Sequence, residues 1–275
     1  CTGMTDGMRL KVGRQDIKFD NERIVGAVDW ANPGRFLDGV RWDRQKEDPS
    51  KGNTTVAVTW DELRETRRYM VYHRAMVGKK NNKLTFLFFD QDSRTEPSPH
   101  FTTGFTTRFH IGPRAWFATE AYVQYWPEST SAFLSLPDRG GMIIGDLGWN
   151  GDDGHKWQVG IDLLDDDFFP FLGTNHRHYG WMDQFYVGTQ TPGLTNLRLR
   201  HTGPINLRPL PSAKGWGAAF HHFQTAGFGD LLGNELDLWV TGNKDGALSW
   251  HVGFSVFDAT ERHIERQGEV PAGLW

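Results

Sequence analysis

The chain of 275 residues carries a single cysteine, at position 1. One thiol excludes an internal disulfide framework and a cysteine-ligated metal cluster. A cysteine there is where a mature lipoprotein would be acylated; the plainer reading is that the chain simply begins at that point. Long hydrophobic runs are also missing. The longest, Leu84–Phe89, is interrupted by Thr85. A membrane-crossing helix needs about 20 apolar residues, so none is expected. Positive charge is not in excess, with 30 Lys plus Arg against 34 Asp plus Glu, which argues against a general nucleic-acid binder. There is no GxSxG, HExxH, CxxC or P-loop, so neither an enzyme nor a cofactor is expected. His178-Tyr179 is a pair that polysaccharide lyases use, but one such dipeptide is common by chance.

What the chain has instead is aromatics and alternation. There are 19 Phe and 12 Trp, and the Trp are scattered from end to end. Phe101, Thr103, Phe105, Thr107, Phe109 and Ile111 alternate with Thr102, Gly104, Thr106, Arg108 and His110. Phe117 to Tyr125 repeats the pattern against Glu120, Tyr122 and Gln124. The runs Trp157–Leu163, Asn196–Arg200, Glu235–Thr241 and Leu248–Val256 do the same. Period two over such lengths predicts strands with one apolar and one polar face. Less regular strands are expected over Arg9–Phe19, Phe36–Arg44, Thr54–Asp61, Tyr69–Gly78, Lys83–Asp90 and Gly215–Gln224. Gly242–Gly246, Lys79–Asn82 and Pro127–Thr130 read as hairpin turns. Arg44–Asn53, Gln91–His100 and Asp165–Gln190 read as long loops, and Trp60–Tyr69 as a short helical turn or charged loop. No linker interrupts the pattern, so residues 1–275 are expected to form a single β-barrel domain.

Alternation does not say whether the apolar face meets a core or lipid. Three features favour lipid. Several runs approach the roughly 9–11 residues of a tilted membrane strand, whereas soluble strands are more often about five or six. Trp42, Trp60, Tyr125, Trp126, Trp149, Trp157 and Trp250 fall near strand ends, where amphipathic rings form interfacial girdles. Full charges sit mid-strand on the polar faces: Arg108, Glu120, Asp162, Arg198, Arg200, Glu235 and Asp237. Between two packed sheets each would cost several kcal/mol unless paired; a watery lumen removes that cost. The competing reading is a soluble β-rich carbohydrate-binding module or polysaccharide lyase, with the leucines and valines pointing inward.

Three blocks of sequence resemble a known family. They are Leu10–Asp16 (LKVGRQD) with Asp29–Arg41 (DWANPGRFLDGVR), Asp165–His176 (DDDFFPFLGTNH) with Tyr179–Phe185 (YGWMDQF), and Gly233–Leu238 (GNELDL) with Phe254–Phe257. In this order they are similar to the alginate-export family of outer-membrane barrels. That resemblance implies an all-β, antiparallel transmembrane β-barrel of the eighteen-stranded type in the bacterial outer membrane, with a charged, arginine-rich lumen passing an anionic polysaccharide. About a dozen strands are countable here, so the piece is expected to be incomplete at both ends.

The expected pore or ligand-binding residues are Arg14, Arg35, Arg41, Arg108, Glu120, Arg198, Arg200, Glu235 and Asp237. Guanidinium groups match carboxylates as two-pronged donors. The alternative for Arg108, Arg198 and Arg200 is neutralisation by Glu120, Glu235 or Asp237. For Arg14, Arg35 and Arg41 it is a structural network with Asp16, Asp29 and Asp38, which the Asp/Gly pattern favours slightly. Asn175, His176, Tyr179 and Asp183 are expected in a loop that constricts or caps the pore. His176, His178 and Asp183 lack zinc-type spacing, and Asp152, Asp153 and Asp165 to Asp167 read as a solvated acidic loop rather than a calcium site. No metal is therefore expected. Trp116, Tyr122 and Trp239 fall on polar faces and suit a glycan path or packing against loops. The partners implied are an anionic polysaccharide or other polar solute, outer-membrane lipid and periplasmic export components.

Overall fold

The computed structural model describes residues 2–5, 7–30, 34–45, 52–61, 66–76, 83–92, 100–126, 138–168, 170, 172–174, 176–185, 193–206, 212–244, 248–267 and 273–274. The fold is all-β and antiparallel. The strands are β1 (Thr2–Thr5), β2 (Met8–Gln15), β3 (Leu37–Gln45), β4 (Asn53–Asp61), β5 (Thr66–Met76), β6 (Lys83–Asp92), β7 (His100–Ile111) and β8 (Ala115–Trp126). They continue with β9 (Asp138–Asn150), β10 (Lys156–Leu164), β11 (Leu194–Pro204), β12 (Ala213–Gln224), β13 (Leu231–Lys244), β14 (Leu248–Ala259) and β15 (Gly273–Leu274). Their hydrogen-bonding order is their order in sequence. One short helix, α1 (Glu261–Gln267), follows β14. The chain divides into two compact units. The first is Cys1–Thr107, Glu120–Met142 and Asp167–Thr174; the second is Arg108–Thr119, Ile143–Asp166 and Asn175–Trp275.

The face question is answered by β13 and β14. Leu236, Leu238, Val252 and Phe254 are 37%, 41%, 53% and 41% exposed, while Glu235 and Asp237 are each 1% exposed. The apolar side of the sheet is bare and the charged side is covered, the reverse of a soluble sandwich. Val56, Val58, Val71, Phe86, Phe101 and Phe105 repeat this in the first unit. The soluble-module reading falls with that observation.

What covers the polar side is chain that leaves the strands. In the first unit β2 ends at Gln15, not at Phe19 as the alternation suggests, and the segment after it turns back over the sheet. Ile17, Phe19, Ile24 and Val25 are buried there. Val25 bridges Leu172 in parallel, and the Gly26 and Thr174 amides donate to the Leu172 and Glu22 carbonyls. Asp20, Glu22 and Val28 take left-handed φ values of 48°, 67° and 55°. A β-branched residue there is strained, and the surrounding hydrogen bonds hold it. In the second unit Phe185 lies against Phe223, Phe257 and His263, with ring centroids 4.3, 6.0 and 5.4 Å away. Fully burying each Phe contributes roughly 1.5–3 kcal/mol.

β13 and β14 pair as a hairpin, with Lys244 opposite Leu248; Gly242 to Lys244 of the expected turn are strand residues, and 245–247 lie outside the described residues. Of Trp60–Tyr69, expected as a short helical turn or charged loop, Trp60 and Asp61 end β4 and Thr66 to Tyr69 begin β5, so the strands run further than the charged pattern suggests; residues 62–65, Lys79–Asn82 and Pro127–Thr130 lie outside the described residues. In the second unit Trp149, Trp157, Trp216 and Trp250 all sit on the apolar face towards the β9/β10, β11/β12 and β13/β14 hairpin ends, as an interfacial girdle requires.

Placing a charge on the apolar face tests this orientation. Leu238→Arg is expected to cost about 2–4 kcal/mol in lipid, measured by guanidinium unfolding of the full-length protein from phospholipid vesicles. A cost below about 1 kcal/mol would mean that Leu238 does not face the bilayer interior.

Candidate functional site

The expected site residues separate into a structural set and an accessible one. In the first unit, Arg14 pairs with Asp38 at 2.9 Å. Its position in β2 is that of Met8, Leu10 and Val12, so it stands on the apolar side at a strand end and does not line the polar face. Arg35 donates to the Gly26 carbonyl at 3.1 Å and to that of Leu172, tying two covering segments together. Arg41 does point to the polar side, where Asp43 accepts from it at 2.8 Å, from Thr55 at 2.7 Å and from Arg9 at 3.2 Å. Glu120 accepts from Asn21, and from Tyr122 at 3.3 Å, and lies 3.7 Å from Arg23. Asp20, not foreseen, accepts from the Tyr72 hydroxyl at 2.8 Å and from Thr85 at 3.2 Å. Phe19 stacks on Tyr72 at 4.1 Å. These contacts are those of an anchored plug segment.

In the second unit, Arg198, expected in the pore lining or else neutralised by Glu120, Glu235 or Asp237, is bound by Asp146 of β9 and Asp162 of β10. Its guanidinium lies over Gly160, where a Cβ would collide with it. Asn196 also donates to Asp162, at 2.9 Å. One arginine thus stitches three strands, a low-dielectric arrangement in which every partner is needed.

Glu235 and Asp237 hold the loop. The Met182 amide donates to Glu235 Oε1 at 2.8 Å, and Gly180 passes so close to that carboxylate that a side chain would strike it. Gly180 has φ +84°, so this position needs glycine twice over. Asp237 accepts from Ser255 at 2.6 Å. His176 Nδ1 and Asp183 Oδ2 are 3.0 Å apart. Burial pushes the Asp183 carboxyl up, and the hydrogen bond and charge of His176 pull it part of the way back. Tyr179 is buried. The loop expected over these residues therefore packs onto the polar side of β12–β14; Asn175 lies outside the described residues. Among the described residues no cluster of three metal-ligating side chains occurs.

Of the expected site residues, Arg200 and Arg108 remain exposed on the polar side, each carried on an indole. Arg200 lies 5.1 Å from the Trp239 ring centroid and Arg108 lies 3.9 Å from that of Trp116. Both rings rest on glycine of a neighbouring strand, Trp239 on Gly217 and Trp116 on Gly148. Arg177, Arg198 and Arg200 are near enough to feel one another's charge. The sequence marks Trp116 and Trp239 as polar-face rings, but the glycine beneath each becomes visible only once the strand register is known. Trp181, which packs 5.0 Å from Trp239, carries no such signal.

No family model and no curated protein matches the sequence. Among solved structures, the chain is similar to Acinetobacter baumannii OccAB2, with TM-score 0.66, 12% identity, and 94% of this chain and 70% of that chain covered. It is similar to Pseudomonas aeruginosa OpdK with vanillate, with TM-score 0.62, 10% identity, and 94% and 73% covered. It is also similar to Pseudomonas aeruginosa OccK2 (OpdF) in complex with glucuronate, with TM-score 0.61, 10% identity, and 94% and 74% covered. These are outer-membrane β-barrel porins, and this chain has their fold in part. The resemblance to the alginate-export family finds no support. Its blocks are short patterns lying partly inside strands, Leu10 to Gln15 in β2, Gly233 to Leu238 in β13 and Phe254 to Phe257 in β14, where the alternation of any antiparallel membrane barrel recurs.

Substitutions at three positions test the division of roles. Glu235→Ala leaves the Met182 amide without its acceptor, at about 1–3 kcal/mol. It should speed protease cleavage within residues 176–185, whereas Glu235→Gln retains most of the protection; equal protection in both would show that the loop is held elsewhere. Arg198→Ala leaves the buried Asp162 and the half-buried Asp146 without their counter-charge and is expected to cost about 3–5 kcal/mol by thermal unfolding, while Arg108→Ala, at an exposed side chain, should cost under about 1 kcal/mol.

Proposed function

We propose that residues 1–275 belong to one barrel domain of a bacterial outer-membrane channel, and that this channel passes small polar solutes bearing a carboxylate. The observation that carries the reading is Arg200: an exposed guanidinium on the polar side, steadied on the Trp239 indole, with the exposed Arg177 near enough to add its charge. A guanidinium presents a planar fork that fits a carboxylate, and grouped like charges raise the local concentration of counter-ions. The solutes named with two of the similar structures, vanillate and glucuronate, are both carboxylates. The bare apolar face and its girdle of indoles support outer-membrane lipid as the surrounding medium.

The finer question is length. An anionic polysaccharide would meet the same arginines, but the covering segments at residues 16–28 and 176–185 occupy the polar side along which a polymer would have to thread. That favours the small solute, and with it diffusive passage without periplasmic export components.

Current through the full-length protein in planar bilayers tests this. Anion selectivity is expected in a salt gradient. Arg200→Glu should lower glucuronate permeation roughly tenfold or more, as loss of a charge-assisted hydrogen bond implies. Cation selectivity of the unmodified protein, or passage of long oligouronates as readily as of the monomer, would sink the small-anion reading.

A further inference from the structure

We infer that His155 and His201 form a clip for one divalent transition-metal ion, of the kind that imidazole nitrogen binds well, on the apolar side of the second unit where β10 begins and β11 ends. The clip stands apart from the channel reading, because this face points away from Arg200. His155 Nδ1 and His201 Nε2 are 3.0 Å apart, on residues separated by 46 in sequence. Two nitrogens that bind one zinc, nickel or copper ion at about 2.0–2.1 Å stand roughly 2.8–3.4 Å from each other. The pair already has the separation of two neighbouring ligands.

Strand register builds the pair. His201 is opposite Trp157 of β10 and shares its apolar face. His155, the residue before β10, lies over Gly203 so closely that a Cβ there would strike its ring. His201 is buried, with its ring centroid 4.2 Å from that of Trp157 and 4.7 Å from that of Trp216. One imidazole is thus fixed between two indoles. The other is half-buried on the turn between β9 and β10, where an ion can enter from the headgroup layer.

The protons balance. In a neutral pair one proton lies between the facing nitrogens. As the ion enters, that proton moves to the outer nitrogen of its own ring, and both facing nitrogens become ligands. Among the described residues His201 Nδ1 has no hydrogen-bond partner, so no neighbour ties that ring to one tautomer. The Asp153 carboxylate accepts from the His155 amide at 3.1 Å and is near enough for its charge to reach His201. It sets negative charge beside the cation, and water fills the remaining positions. Magnesium and calcium, which take oxygen ligands, do not suit two imidazoles.

The test titrates the full-length protein, free of any affinity tag and folded in phosphatidylcholine vesicles, with copper(II) chloride. Electron paramagnetic resonance is expected to show a tightly held copper ion coupled to two nitrogens. Nickel and zinc should displace it only at higher concentration, following the usual affinity order, and magnesium should not displace it. His155→Gln and His201→Gln should each weaken binding roughly a hundredfold, as loss of one arm of a two-point contact implies. Gly203→Ala keeps both imidazoles but puts a methyl group where the His155 ring lies, and it should weaken binding too. Circular dichroism should be unchanged in all three, so that the loss reports on the clip and not on the sheet. If His201→Gln fails to fold, His155→Gln, on the turn, decides the matter alone. A two-nitrogen signal that survives substitution of His155 would overturn the site. So would a single-nitrogen signal, or no retained copper, in the unmodified protein.

Discussion

Everything in this structure depends on backbone pairing between sequence neighbours. In a hydrocarbon environment an unpaired N–H or C=O costs several kcal/mol, so only strands bonded on both edges are tolerated. Once the strands are extended, side chains must alternate, and the apolar set goes to lipid. The polar set is then forced onto one side, where its charges need partners or water. Arg198 with Asp146 and Asp162, Arg41 with Asp43, and Glu120 with Asn21 and Tyr122 are the partner solution. Arg200 and Arg108 are the water solution, each steadied by an indole. The division between structure and function on this face is the division between closed and open charge.

The covering segments sharpen that division. They bring Phe19, Ile24 and Phe185 to a side that the strand pattern reserves for polar residues, and the strands answer with Met70, Leu87, Phe223 and Phe257. A small apolar core therefore forms on the polar side in each unit. What is left uncovered is the ground on which a solute can be met.

Much of the wall was legible in the sequence because period two is a strong signal over ten residues. The strands from Phe101 onward other than β9 and β15, the hairpin joining β13 and β14, and the sense of Leu236 and Leu238 all follow from alternation and mid-strand charge. The segment after Gln15 was read as more strand: Ile17 and Phe19 are apolar two residues apart, but on the parity of Lys11 and Gln15 rather than of Leu10 and Val12, and they belong to a turn held by side-chain bonds to distant strands. Arg14 misled for a related reason. Its face is set by register with Met8 and Leu10, and a charge at a strand end tolerates the apolar side when Asp38 is beside it. The pairing of Arg198 with Asp146 joins residues 52 apart, and nothing local announces it. Short motif blocks suggested one barrel family; the backbone resembles another, because strand alternation is a pattern that all such barrels share.

The Glu235 anchor also fixes an order of events. Its acceptor oxygen meets the Met182 amide only when β13 is in place, since the two residues are 53 apart in sequence. Hairpins need only short closures and form early, whereas contacts of long separation follow once the intervening chain is ordered. The loop can therefore dock only on a finished wall. How much of the polar side of β12–β14 stays uncovered is therefore decided by a few late contacts rather than by the sheet that carries them.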